Sequence, residues 1–188
     1  MLFCFGLLRS TTLAPMVSGR KNPLFYGLAS RLKRARRQAG LKQLPLAERA
    51  GLATGTGRDI ELGLSLPTVS TVARLASALG VSAGWLAYGL GGPITEGLPA
   101  ACDRMGTRLV TARMERGHSR AELARLTNLS PRAIAKIEAG GQSGVEVIES
   151  LAQALGVSPG WLAFGTEPRV LFTRRRGRPP AMSSAAPD

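Results

Sequence analysis

The sequence predicts an all-α protein of two tandem five-helix units with disordered termini, on three observations. The first is an internal repeat: Leu79-Gly-Val-Ser-Ala-Gly-Trp-Leu-Ala-Tyr-Gly89 returns as Leu155-Gly-Val-Ser-Pro-Gly-Trp-Leu-Ala-Phe-Gly165. Self-similarity of this kind marks a duplicated structural unit. The second is apolar spacing inside each copy in steps of three and four, the helix period. The third is the punctuation between these segments, where Gly, Ser and Pro fall at positions suited to helix ends.

The repeat extends backward along the chain. Leu75-Ala76 matches Leu151-Ala152, and Ile60-Glu61-Leu62-Gly63 matches Ile137-Glu138-Ala139-Gly140. Further back, Arg31-Leu32 pairs with Arg108-Leu109, Ala35-Arg36 with Ala112-Arg113, Gly40 with Gly117, Ala47 with Ala124 and Leu52 with Leu129. The offset is 77 between Ile60 and Ile137 but 76 between Leu79 and Leu155, so the second copy lacks one residue after its Ile-Glu. Such a deletion marks a loop. The expected organisation is a disordered arm over 1–27, a first unit over 28–90, a linker over 91–105, a second unit over 106–165 and a basic disordered tail over 166–188. Units of about sixty residues lie near the lower size at which one core still folds.

Each element has a local cause. Leu28, Leu32 and Ala35, like Leu109 and Ala112, form the first helix, ended by Gly40 or Gly117 in the place of a C-terminal cap. Leu46-Ala47 and Leu123-Ala124 face inward on a second helix; in the second copy Ser119 and Glu122 have the capping-box spacing. After a turn at Gly51-Leu52 or Asn128-Leu129, Ser130 caps a third helix with Pro131 at its first position, where the missing N–H is harmless. That helix stops before Gly140-Gly141. The fourth carries Val72, Leu75, Ala76 and Leu79, or Ile148, Leu151, Ala152 and Leu155. Ser82 or Ser158 then caps a short fifth helix holding the Trp.

The chain has 25 Lys and Arg against 12 Asp and Glu, a net charge of +13. Such an excess points to a polyanionic partner, because neutralised phosphates release condensed counterions. Cys4 and Cys102 form no metal-binding or disulfide pattern, and His118 is the single histidine, so no metal, cofactor or catalytic constellation is expected. The apolar start, Met1-Leu-Phe-Cys-Phe-Gly-Leu-Leu8, is too short to span a bilayer. It lacks a basic segment in front, and Leu13-Ala14-Pro15 is a poor cleavage context, so neither a secretory signal nor a membrane partner is expected. Met16 offers a second plausible start. A cytoplasmic, nucleoid-associated location fits this profile.

Gly117-His-Ser-Arg-Ala-Glu-Leu-Ala124 followed by Asn128-Leu-Ser-Pro-Arg-Ala-Ile-Ala-Lys-Ile-Glu-Ala-Gly140 resembles the Cro/repressor-type (XRE) helix-turn-helix family. The resemblance covers residues 106 to 165. The first unit is similar through Gly40-Leu-Lys-Gln-Leu-Pro-Leu-Ala47 and Ile60-Glu-Leu-Gly63, followed by Pro67. It implies a lambda-repressor-like five-helix domain that binds double-stranded operator DNA, commonly as a two-fold pair, and no enzymatic activity. The pair is either a homodimer or an intramolecular pseudo-dimer of the two copies.

Physical logic stands beside the resemblance. A helix in the major groove needs apolar residues inside and groups that reach base edges outside. Ile134 and Ile137 are expected inside; Pro131, Arg132, Ala133 and Lys136 outside, with Ser130 at the cap. Arg132 is the candidate guanine contact, Lys136 reaches base or phosphate, and Arg120 holds a phosphate.

In the first copy the third helix is expected to read Thr54-Gly-Thr-Gly-Arg-Asp-Ile60, with Gln43, Thr54 and Arg58 as its candidate contacts. Gly57 replaces the residue matching Ile134, which predicts a hole or a loosened helix, and Asp59 replaces Lys136. Yet this unit carries Arg31, Lys33, Arg34, Arg36, Arg37, Lys42, Arg49, Arg58 and Arg74 against Glu48, Asp59 and Glu61, a net of +6, while the second unit nets +2. One consistent picture has the first copy gripping phosphate while the second reads sequence.

The tail Thr173-Arg-Arg-Arg-Gly-Arg-Pro-Pro180 contains Arg176-Gly177-Arg178-Pro179, which resembles an AT-hook core, so Arg176 and Arg178 are candidate minor-groove contacts. A plain basic tail adding non-specific affinity is the alternative. Trp85, Trp161, Tyr88 and Phe164 are expected in the core and at a dimer contact rather than stacking on bases. The leading function is a transcription regulator, with a repressor role favoured. Left open are a protein-interaction or antitoxin-like module using the degenerate first copy, and a non-specific architectural DNA-binding protein.

Overall fold

The computed structural model describes residues 23–93, 104–166 and 168–170. In the first unit α1 (Leu28–Gln38), α2 (Gln43–Ala50), α3 (Thr56–Glu61), α4 (Val69–Leu79) and α5 (Ala83–Tyr88) follow one another. The second repeats the order as α6 (Met105–Glu115), α7 (Arg120–Thr127), α8 (Pro131–Glu138), α9 (Val145–Leu155) and α10 (Pro159–Phe164). No strand occurs among the described residues; an isolated antiparallel bridge joins Thr68 to Gly144. The missing residue of the second copy falls in the loop between α8 and α9, matching the longer loop between α3 and α4.

Repeated apolar positions build the core. Leu32, Leu46, Ile60, Leu75 and Leu86 are buried in the first unit, and Leu109, Leu123, Ile137, Leu151 and Leu162 in the second. Each such side chain contributes about 1.5–3 kcal/mol by leaving water. The helix ends follow the sequence signals. Ser119 and Glu122 form the reciprocal capping box at α7, and the Ser130 hydroxyl accepts from the Ala133 N–H at 3.1 Å. Ser82 and Ser158 likewise accept from the backbone of Trp85 and Trp161. Gly51 and Asn128 end α2 and α7 in the left-handed region, at φ 60° and 56°. Asn is among the few side chains that visit it routinely.

Three expectations need correction. The third helix of the first unit starts at Thr56, leaving Thr54 in the preceding turn. Its cause is Ala53, which stands where Ser130 caps α8 and has no oxygen to offer; Gly55 becomes the cap residue, without a side-chain bond. Second, Leu24–Gly27, expected in the disordered arm, form a 3-10 turn. The backbone N–H groups of Leu24 and Phe25 donate to the buried Glu149 carboxylate on α9, at 2.7 and 3.1 Å. Third, Met105, expected in the linker, is buried as the first residue of α6. The remainder of the expected arm (1–22), residues 94–103 of the linker, and 167 and 171–188 of the tail lie outside the described residues.

The two units pack on each other through equivalent positions. Val69 N donates to Ser143 O at 2.9 Å and Val145 N to Pro67 O at 3.2 Å. This reciprocity is the contact pattern of a two-fold interface, here between copies within one chain. Helix α5 lies against α10, with the Tyr88 and Phe164 ring centroids 6.4 Å apart. Tyr88 also donates its hydroxyl to Val145 O at 3.0 Å. The aromatic ends of the fifth helices thus serve core and inter-unit contact together. Trp85 and Trp161 are half-buried against the same core, and Arg169 lies 4.6 Å from the Trp161 ring centroid.

Candidate nucleic-acid interface

Helix α8 presents two distinct faces. Ile134 and Ile137 are buried, whereas Ser130, Pro131, Arg132 and Lys136 are exposed and Ala133 is half-buried. Three residues separate α7 from α8, the turn length that sets two helices at a steep angle. Gly106 allows α6 to lie against the end of α8, since a Cβ there collides with the Ile137 and Glu138 carbonyls.

Glu138 ties the ends of three helices together. Its carboxylate accepts from Arg113 Nε at 2.6 Å and from Arg120 Nε at 2.7 Å. Arg113 also donates to His118 O at 2.9 Å. Burial acts to raise the Glu138 pKa, but the hydrogen bonds from Arg113 and Arg120 outweigh it and hold the carboxyl below its ordinary value. Arg113 is almost enclosed, while the Arg120 side chain remains 53% exposed. Arg120 is therefore aimed by an internal carboxylate yet open to a phosphate.

The first unit repeats this layout with one change. Glu61 accepts from Arg36 at 2.7 and 2.9 Å, and Arg36 donates to Leu41 O. Gln43, at the position of Arg120, donates Nε2 to Glu61 at 2.7 Å. Its Oε1 is buried without a hydrogen-bond partner, and a Cβ on Gly57 would stand 3.2 Å from it. The Gln43 amide thus lies beside Gly57, where a Cβ would press on it. Gln43 is consequently turned inward, while Thr54 and Arg58 are exposed and Asp59 is half-buried.

Three of the arginines behind the first unit's net charge of +6 also serve the fold. Arg31 donates to Leu86 O at 2.9 Å and Ala87 O at 2.6 Å, satisfying the end of α5. Arg74 does the same for Ala50 and Gly51 at the end of α2. Arg36 is held by Glu61. Lys33, Arg34, Arg37, Lys42, Arg49, Arg58 and also Arg74 are exposed. Arg108 repeats the role of Arg31 on α10, donating to Leu162 O and Ala163 O. These inward roles were missed from sequence, although the pairing of Arg31 with Arg108 in the repeat was a usable signal. Arg176 and Arg178 lie outside the described residues.

Among the described residues no group of His, Cys, Asp or Glu is placed to hold a metal ion, and no helix is long and apolar enough to cross a membrane. Two helical units, each joining its second and third helices by a short turn over a buried core, have the helix-turn-helix arrangement of DNA-binding regulators. A family model for the helix-turn-helix, HTH_3, matches residues 32–86 and again 109–162. These matches span more than half of the 188 residues, and the chain belongs to this XRE-type helix-turn-helix family. A comparison with curated proteins gave no match.

Proposed function

We propose that this chain is a transcriptional repressor that reads operator DNA through α8, with Arg132 contacting guanine, Lys136 a base or phosphate, and Arg120 a phosphate. The observation that carries this reading is the contrast between two equivalent helices. Helix α8 has eight residues, a Ser130 cap and exposed cations; α3 has six, no side-chain cap and a glycine as its second residue. The first unit then adds phosphate contacts through Arg58 and Lys42 rather than base readout. The DNA-binding body is the intramolecular pair, a reading supported by the reciprocal backbone bonds between residues 67–69 and 143–145. Arg176 and Arg178 add minor-groove or non-specific contacts.

Selection of bound sequences from a random DNA pool supplies the operator, and a gel shift at several salt concentrations tests it. A bidentate Arg–guanine contact is worth about 1–3 kcal/mol. Arg132→Ala is expected to weaken operator binding by roughly 5- to 150-fold and to relax preference at one position. Unchanged affinity in both Arg132→Ala and Lys136→Ala refutes α8 as the reader. One strong half-site is expected; a symmetric palindrome would show that α3 reads bases too.

A further inference from the structure

The duplication supplies an internal comparison at the loop between α3 and α4. Leu62, Leu64 and Leu66 are 60%, 73% and 56% exposed there, and Leu44 on α2 is 50% exposed. In the second unit Ala139 stands for Leu62, Ala121 for Leu44, Gly141 for Leu64 and Gln142 for Leu66. Single exposed leucines are ordinary, but three within five residues form a patch that calls for a partner. All four leucines are exposed, so this difference between the copies lies at the surface.

Two exposed cations border this patch; Asp59, whose backbone oxygen accepts from Leu64 N at 2.8 Å, is half-buried beside it. Leu62 N donates to Arg58 O at 2.9 Å, which sets exposed Arg58 one helical turn before it. The Gln43–Glu61 hydrogen bond of 2.7 Å ties the start of α2 to the end of α3 and so brings exposed Lys42 and Leu44 to the same end of the unit. The nearby Glu61 carboxylate is engaged by Arg36 and Gln43. An apolar strip with basic flanks is complementary to an amphipathic helix with acidic flanks. A second copy of this chain is a poor occupant, because it brings the same cations and a net charge of +13. DNA is also poorly matched, since leucines offer nothing to a phosphate oxygen.

We propose that Leu62, Leu64 and Leu66, with Leu44, Arg58 and Lys42, form a docking surface for an acidic amphipathic helix of a partner protein. This rests on the reading that the second unit carries DNA specificity, because the docked helix covers the recognition side of the first. The docked helix then takes Arg58 and Lys42 in place of the DNA phosphates proposed for them, while α8 of the second unit keeps the operator.

The test pans the full chain against a phage-displayed library of random peptides, in parallel with Leu62→Ser/Leu64→Ser/Leu66→Ser and with Arg58→Glu. The expected peptides carry Leu, Ile or Phe at i, i+3 and i+4 spacing, interleaved with Asp and Glu. Their synthetic forms should bind at least tenfold more weakly to the triple variant and several-fold more weakly to Arg58→Glu. The triple variant keeps every cation, so binding driven by charge alone would survive in it and overturn the proposal. Recovery of no such peptide also overturns it. So does a tenfold loss of operator affinity in the triple variant, which assigns the patch to DNA, or a self-association that this variant abolishes. A thermal melt matching the parent confirms that the exposed substitutions leave the fold intact. Failure of Arg132→Ala to affect operator binding would refute the α8 reading alone, leaving the peptide measurement to be judged separately.

Discussion

Replacing Tyr88 by Phe places in the first unit the side chain that the second already carries at Phe164, so volume is kept and one hydroxyl is removed. At neutral pH the lost bond to Val145 O, 3.0 Å in the parent, should cost about 0.5–1.5 kcal/mol. In alkali the balance reverses. Burial, reinforced by the negative charges of Glu149 and Glu146, raises the Tyr88 phenol well above its ordinary value. The fold therefore favours the neutral phenol. That contribution is complete below the unfolded pKa of about 10 and is lost as pH rises toward the folded pKa, because the unfolded chain ionises first. One pH unit above 10 removes about 1.4 kcal/mol from the parent and nothing from the Phe variant. Urea unfolding of both proteins at pH 7 and pH 11 reads the difference, in which the other titrating groups cancel. The parent should be the more stable by about 1 kcal/mol at pH 7, and the variant equal or slightly ahead at pH 11. An unchanged difference would refute the burial of Tyr88 between the units.

Other perturbations follow from the unequal copies. Ala53→Ser restores the cap oxygen missing from α3 and should raise stability by about 1 kcal/mol, while Ser130→Ala should lose a similar amount; thermal melts measure both. Glu138→Ala strands Arg113 and should cost about 3 kcal/mol, with operator affinity falling as Arg120 loses its anchor. Because the Glu138 carboxyl is held below its ordinary value, its contribution is present above the unfolded pKa of about 4.3 and is lost as pH falls through the folded pKa. Glu138→Gln should flatten that part of the acid unfolding curve. Glu149→Ala should release the Leu24 and Phe25 amides, read as faster hydrogen exchange at residues 24–27 with little change in α8.

What could be read from the residues was mostly what is local. The capping box of Ser119 and Glu122, the Ser130–Pro131 start and the turns at Gly51 and Asn128 each depend on neighbours a few positions away. The late start of α3 was legible in principle, since Ala53 aligns with Ser130. Long-range contacts were not. The Leu24–Glu149 hydrogen bond spans 125 residues, and no periodicity announces that a glutamate on one unit will cap a turn attached to the other. Counting charges does not show a second role for a related reason: the Arg31 and Arg74 guanidinium groups also meet the carbonyls that end α5 and α2. The inward turn of Gln43 was hidden as well, because it depends on the room that Gly57 leaves. For the candidate interface, the outward face of α8 was readable from helical period, but its support by Glu138 was not.

The reciprocal bonds between Val69 and Ser143 and between Val145 and Pro67 join residues of one polypeptide. Association of the two heads is thus first-order, and dilution does not undo it. A two-headed binder assembled from separate chains loses active species as the square of its concentration when scarce. On the proposed reading that the intramolecular pair is the DNA-binding body, this chain should titrate its target in simple proportion to the number of molecules made. Covalent linkage also frees the heads from having to be identical, so each can diverge without creating a mismatched partner.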